Sequence, residues 1–295
     1  LALVRRDLGD LDTAIAGFAE AESRGFKSSK MFWDRALTHL VAGDLETGFR
    51  EYEWRWQLPE CPPRFSDIPA WDGEALDGKT LLVHTEQGFG DAIQFLRYLP
   101  MAAARGGRVV YECPAPLIRL VRNSPLSENI GLVEQGTAVA RADYQIALLS
   151  LARVFKTSLA TIPSEGPYLQ PPADGPKLQV PSDGPRIGLV WAGKPTHKNN
   201  RNRSISLETM LPLLELTNMR FVGLQKGDGA DQPKVLGADA LVINIGERMR
   251  DFADTASILK QLDLLISVDT SVVHLAGALG VPAWVLIPYS PDWRW

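Results

Sequence analysis

Two α/β lobes, each on a parallel sheet, behind a short all-helical segment: this is the fold class that the 295-residue sequence predicts. Three observations predict it. A ten-residue pattern recurs within the first sixty residues, short apolar strands alternate with amphipathic segments from Thr80 onward, and a proline- and glycine-rich stretch cuts that alternation in two. The expected divisions are 1–60 for the helices, 61–180 for the first lobe with its linker, and 181–295 for the second lobe.

The helical segment comes first. GDLDTAIAGF from Gly9 aligns with GDLETGFREY from Gly43, a period of 34 residues. Gly9 and Gly43 are expected at inter-helix turns, Asp10 and Asp44 as caps, and Phe18 and Tyr52 at equivalent places on the second helices. The pattern resembles the tetratricopeptide repeat, in which each helix pair hides its apolar face only against a neighbour. One and a half units are visible, so we expect further repeats upstream; a start at Leu1 and an end at Trp295 just past a strand fit a longer protein. Tyr52, Trp54 and Trp56 are spaced to pack on the following domain, and without a basic field they make a poor RNA-stacking strip.

Pro59, Pro62, Pro63 and Pro69 then end helical structure. Strands are expected at Thr80–Val83, Arg108–Cys113, Ile130–Val133 and Tyr144–Ala147, with a helix from Ala92 to about Arg105. A cluster running from Pro163 to Pro185 marks the linker. Beyond it the pattern restarts with strands at Arg186–Trp191, Arg220–Leu224, Leu241–Asn244 and Leu264–Val268, a last strand after Pro282, and helices at Leu207–Leu216, Phe252–Leu262 and up to Gly280.

Composition limits the function. A hydrophobic content of 45% and a charged content of 22% are those of a globular protein with a full core, and a net charge of −4 argues against a general nucleic-acid binder. Cys61 and Cys113 form no CxxC pair and no metal-spaced set, so no disulfide framework or metal site is expected and a reducing cytoplasm is the simplest setting. No apolar run reaches the roughly 18 residues of a transmembrane helix, and the start does not read as a signal peptide. Gly88 and Gly90 begin a G-x-G-x-x-G pattern, but Ile93 holds the third place, and Gly193-Lys194 runs into Pro195. Neither a dinucleotide fingerprint nor a P-loop results.

The stretch Leu264 to Pro288 carries the strongest functional signal. A strand breaks into Asp269-Thr270-Ser271 and a helix bearing His274 follows, so free N–H groups and the helix dipole face whatever lies beyond the strand end. An anionic, phosphate-bearing ligand suits that position. The structural alternative is an N-cap at Asp269 or Thr270 with a core histidine.

Asp269-Thr270-Ser271-Val272-Val273-His274-Leu275-Ala276 resembles the nucleotide-sugar signature of glycosyltransferase family 9, the bacterial heptosyltransferases, with Ser271 where the family usually has Gly. The loop Glu86-Gln87-Gly88-Phe89-Gly90-Asp91 is similar to the same family's first-strand motif, with Gln94 and Arg97 where His and Pro are usual. The resemblance implies a two-lobed fold of the type called GT-B, a nucleotide-diphosphate sugar as donor substrate, inversion at the anomeric carbon and no required metal or cofactor. It also implies Asp91 as the base that deprotonates an acceptor hydroxyl; Glu86 is a second candidate, and Glu86, Gly88, Gly90 and Gln94 are expected on the acceptor side. Read from its place alone, Asp91 is equally a carboxylate stabilising a helix start.

Lys194, Lys198, Arg201 and Arg203 crowd the loop after the second lobe's first strand, where they can offset a diphosphate, and Ser204 can donate at the helix start. The sequence does not choose among Lys198, Arg201 and Arg203. Gln225 and Lys226 leave another strand toward the same edge, to touch base or ribose or simply to turn. The acceptor would be a protein or a surface glycan, recruited by the repeats. The competing class is a non-catalytic repeat scaffold whose α/β lobes only retain a nucleotide.

Overall fold

The computed structural model describes residues 1–139, 141–181 and 183–295; Ala140, and Ser182 within the predicted linker, lie outside the described residues. Four helices open the chain: α1 (Ala2–Asp7), α2 (Leu11–Ser23), α3 (Ser29–Val41) and α4 (Leu45–Tyr52). Gly9 and Gly43 turn the two helix pairs at φ 82° and 80°, where a side chain would strain the backbone. Asp44 caps α4 by accepting from the Thr47 N–H, whereas Asp10 makes no such cap and pairs with Arg5 instead. These are two helical hairpins with the expected turns. Phe18 and Tyr52 are both buried.

The first lobe runs β1 (Thr80–His84), α5 (Phe89–Phe95), α6 (Leu99–Ala103), β2 (Arg108–Cys113), α7 (Ala115–Arg122), β3 (Ile130–Glu134), β4 (Tyr144–Ala147) and α8 (Leu151–Val154). Its four strands are all parallel in the order β3-β2-β1-β4. The helix expected from Ala92 starts three residues earlier and passes through a 3-10 turn at Leu96–Tyr98 before Pro100, which supplies no N–H to continue a straight helix.

The second lobe follows with β5 (Arg186–Val190), α9 (Asn200–Arg203), α10 (Leu207–Leu214), β6 (Arg220–Gly223), α11 (Gln232–Val235), β7 (Val242–Asn244), α12 (Phe252–Leu259), β8 (Leu264–Val268), α13 (Ser271–Leu279) and β9 (Ala283–Leu286). The sheet is again parallel, ordered β7-β6-β5-β8-β9. Leu81–Val83 and Leu265–Val268 are buried and, apart from Ser267, apolar, as strands of a sheet covered on both faces require.

Three contacts set the lobes against each other and against the helices. Arg119 on α7 grips Asp251 at the start of α12 through 2.7 and 2.8 Å hydrogen bonds. The linker residue Tyr168 donates its hydroxyl to the Ile93 carbonyl at 3.0 Å and its N–H to the Ala278 carbonyl at 3.1 Å, so it touches both lobes. Arg55, just past α4, is fully buried and donates to both carboxylate oxygens of Glu86 and to Ser150. Burial works against its charge, but Glu86 and Glu53 more than offset that and hold its pKa above the usual value. The aromatic tail of α4 does pack: Trp54 stacks on Phe32 at 4.5 Å, and Trp56 lies under the Arg55 guanidinium. Among the described residues no helix is long and apolar enough to cross a membrane.

Candidate functional site

In each sheet the strand order reverses beside the strand that opens the lobe, between β1 and β4 and between β5 and β8. Ligands of open parallel sheets bind outside the carboxyl ends at such reversals. The loops after β1, β5 and β8 are those the sequence singled out, and all three line one cleft of about 1670 Å³ between the lobes. The rim also includes Arg6 and Asp7 at the end of α1 and Leu37 and Val41 on α3, so the N-terminal helices form part of its wall.

Asp91 enters the cleft at the third position of α5. Its Oδ2 accepts from the Gly88 N–H at 3.1 Å, which satisfies a donor at the helix entrance. Its Oδ1 accepts from Arg294, in an ion pair whose two side chains are mostly buried. Facing it is the start of α13, whose first turn presents Thr270, Ser271 and His274. Gly90 and His274 bring the two helices together across the lobes, since a Cβ on Gly90 would come within 2.8 Å of His274 Cδ2.

His274 is not a core residue sealed from the cleft: it lines it, with its ring stacked on Trp295 at 4.8 Å and 19°. Desolvation, then the neighbouring Arg294 charge, push its pKa down to about 4, so the ring is neutral near pH 7 and can accept as well as donate a hydrogen bond. Asp269 pairs with Arg203 at 3.5 Å. Arg203 therefore stands on the cleft wall beside the α13 entrance, and its Nε is buried with no hydrogen-bond partner.

The remaining sequence candidates separate by position. Lys198, ahead of the short helix α9, and Arg201 within it are exposed and lie off the cleft wall, whereas the half-buried Arg203 and the exposed Asn202 line it, as does Lys194 from the preceding turn. Ser204 holds the loop shut, accepting from the Gly193 N–H at 2.9 Å and donating to Asn200 at 2.8 Å. Gln225 is buried and clamps the same loop, its Oε1 accepting from the Trp191 and Ala192 N–H groups at 3.1 and 3.0 Å. Lys226 borders the cleft but spends its ammonium on the Met249 carbonyl at 2.7 Å. Glu86 points away from the cleft into the Arg55 pair, which makes it a tie between helices and lobe rather than an acceptor-side group. Gln94 likewise lies off the cleft wall, a turn further along α5, while Gly88 and Gly90 line it.

One participant carries no motif. Trp293-Arg294-Trp295 crosses the cleft as a strap: Trp293 sits edge-on to Phe49, Tyr52 and Phe95, Arg294 reaches Asp91, and Trp295 covers His274. A basic residue between two tryptophans was the available signal.

Two parallel α/β lobes with a cleft between their strand ends have a GT-B-like architecture. Comparison with solved structures agrees: the iron-containing dodecameric glycosyltransferase TibC from enterotoxigenic E. coli H10407 superposes with a TM-score of 0.51 at 11% identity, over 71% of this chain and 58% of TibC. TibC described as a heptosyltransferase in complex with ADP-D-beta-D-heptose gives a TM-score of 0.50, also at 11% identity, over 74% of this chain and 59% of that one. Among curated proteins, Protein FlbA of Caulobacter vibrioides is 26% identical over 321 residues. That alignment takes in 97% of this chain and 53% of FlbA, so the chain spans about half the length of this relative. No protein-family profile matches.

Proposed function

We propose that this chain is the α/β and adjoining helical part of a glycosyltransferase that moves a sugar from a nucleotide-diphosphate sugar to an acceptor hydroxyl, with inversion and without a required metal. The observation that carries the reading is the convergence of Asp91 from one lobe with Arg203, Thr270, Ser271 and His274 from the other, on a single cleft. The donor diphosphate lies against the α13 entrance, where free N–H groups and the dipole favour an anion, with Arg203 as its counter-charge. Neutral His274 orients the phosphate or sugar by hydrogen bonding. Asp91 accepts the acceptor proton as the hydroxyl attacks the anomeric carbon from the face opposite the leaving diphosphate. TibC bound to ADP-heptose on a like fold supports an ADP-sugar as the first donor to try. The acceptor, a protein segment or glycan, enters past α1 and α3.

A non-catalytic scaffold has one observation in its favour. Both oxygens of Asp91 are engaged, by Gly88 and Arg294, as in a carboxylate that only caps a helix. Incubating the full-length protein with a panel of nucleotide-diphosphate sugars, together with a mixture of protein and glycan acceptors, and measuring nucleotide release separates the two. Release above the no-enzyme rate is expected for the enzyme, and saturable binding with no release would leave only the scaffold.

A further inference from the structure

We propose that Arg294 is a relay cation, which holds Asp91 in the resting site and passes to the leaving diphosphate as Asp91 takes the acceptor proton. The proposal rests on the reading of Asp91 as the base.

The guanidinium is built for two partners in turn. One of its terminal nitrogens donates to Asp91 Oδ1 and the other to Asp292 Oδ1 at 2.7 Å, while Nε is buried with no partner. Its five N–H donors therefore leave capacity for a further acceptor. Trp293 is wedged among Phe49, Tyr52 and Phe95, and Trp295 lies on the His274 ring. The flanking residues thus anchor Arg294 between the base and the entrance of α13.

The reaction itself moves one negative charge across that gap. The acceptor O–H bond breaks and its proton goes to Asp91, converting carboxylate to acid. The acceptor oxygen bonds to the anomeric carbon. The bond from that carbon to the phosphate oxygen breaks with its electron pair, so the departing diphosphate gains the charge that Asp91 lost. With Asp91 neutral, the buried guanidinium keeps only Asp292 as a counter-charge, whereas a phosphate oxygen offers it further charge-assisted hydrogen bonds. The cation follows the charge. In the resting cleft the same pairing makes Asp91 and a bound diphosphate competitors for Arg294.

That competition can be measured without turnover. ADP is titrated calorimetrically into wild type, Asp91→Asn, Arg294→Ala and the double variant of the full-length protein. Asp91→Asn frees the guanidinium and should bind ADP about tenfold more tightly, a coupling of ordinary size, and Arg294→Ala should bind it about tenfold more weakly. The double variant should match Arg294→Ala. Tightening that persists in the double variant would mean that only the repulsion between Asp91 and phosphate had been removed, and would overturn the relay. Unchanged affinity in Asp91→Asn would overturn it too. Should Arg294→Ala not fold, Arg294→Gln takes its place, keeping hydrogen bonding without charge. Turnover by the same proteins tests the reading beneath: an Asp91→Asn variant that keeps full turnover removes the base and the relay together. Lost turnover with unchanged ADP affinity removes only the relay. Wild-type protein that binds none of ADP, GDP and UDP overturns the donor reading and the relay with it.

Discussion

Gly90 and His274 touch across the cleft so closely that a Cβ on the glycine would lie 2.8 Å from the imidazole Cδ2. The histidine ring is also held by stacking on Trp295, at 4.8 Å and 19°. A missing side chain in the first lobe therefore fixes how near the base candidate stands to the α13 entrance in the second.

Gly90→Ala should force the two helices apart. Overpacking of this kind costs about 1–3 kcal/mol, and a displacement approaching 1 Å between reacting groups costs on the order of 10²-fold in rate. The expected result is a modest fall in melting temperature with a large fall in turnover. Gly90→Ala with His274→Ala should recover the melting temperature but not the turnover. A Gly90→Ala protein with unchanged turnover would show that the contact does not set the site.

Much of this arrangement was legible in the sequence. Apolar runs such as Leu264–Val268, followed by polar loops, read as covered strands, and the loops rich in Gly, Asp and basic residues after them fell at the sheet reversals. What could not be read was direction. Lys198, Arg201 and Arg203 sit within six positions, and only the folded loop and the turn of α9 at its end bring Arg203 to the cleft wall and leave the other two in solvent. Glu86 looked like a second base because its partner, Arg55, lies thirty-one positions away beyond a proline-rich stretch. Arg294 was illegible for the same reason, since nothing local announces a partner 203 positions earlier.

The inward turn of α9 makes a sharp comparison possible. Arg203→Ala should weaken nucleotide-diphosphate binding by about 1.5–3 kcal/mol, the worth of a charged hydrogen-bonding partner. Arg201→Ala should change it far less, since screening leaves an exposed cation little to contribute. Titration of ADP into both variants checks this. Equal losses would return the whole basic loop to the site, and no loss in either would remove it.

Acid sensitivity should come from two histidines. Burial lowers the pKa of His84 to about 4, and desolvation followed by Arg294 lowers that of His274 to about 4. The unfolded chain titrates these rings near 6.5. Between those limits the unfolded state binds protons that the folded state refuses, so stability is intact above about pH 6.5 and falls as pH drops toward 4, by an order of 1–3 kcal/mol for each ring. Melting curves from pH 7 to 4.5 should show that decline, and a His84→Gln/His274→Gln protein should show a flatter one. Parallel curves would mean that these rings are not held neutral.

Asp91 and Glu86 offer the decisive contrast, because they are carboxylates five positions apart with opposite assignments. Glu86→Gln leaves the buried Arg55 without its main counter-charge, and breaking a buried pair from one side costs about 3–5 kcal/mol. The protein should melt early, yet turnover per folded molecule should survive. Asp91→Asn keeps the size of the side chain but cannot accept the proton, so turnover should fall by roughly 10² to 10⁴ while the nucleotide diphosphate is still bound. A merely capping Asp91 predicts the reverse, with a stability loss of about 0.3–1 kcal/mol from the helix start and near-normal turnover. Melting temperature and single-turnover rate measured on the same preparations decide between them, and a loss of less than about threefold in Asp91→Asn would end its assignment as the base.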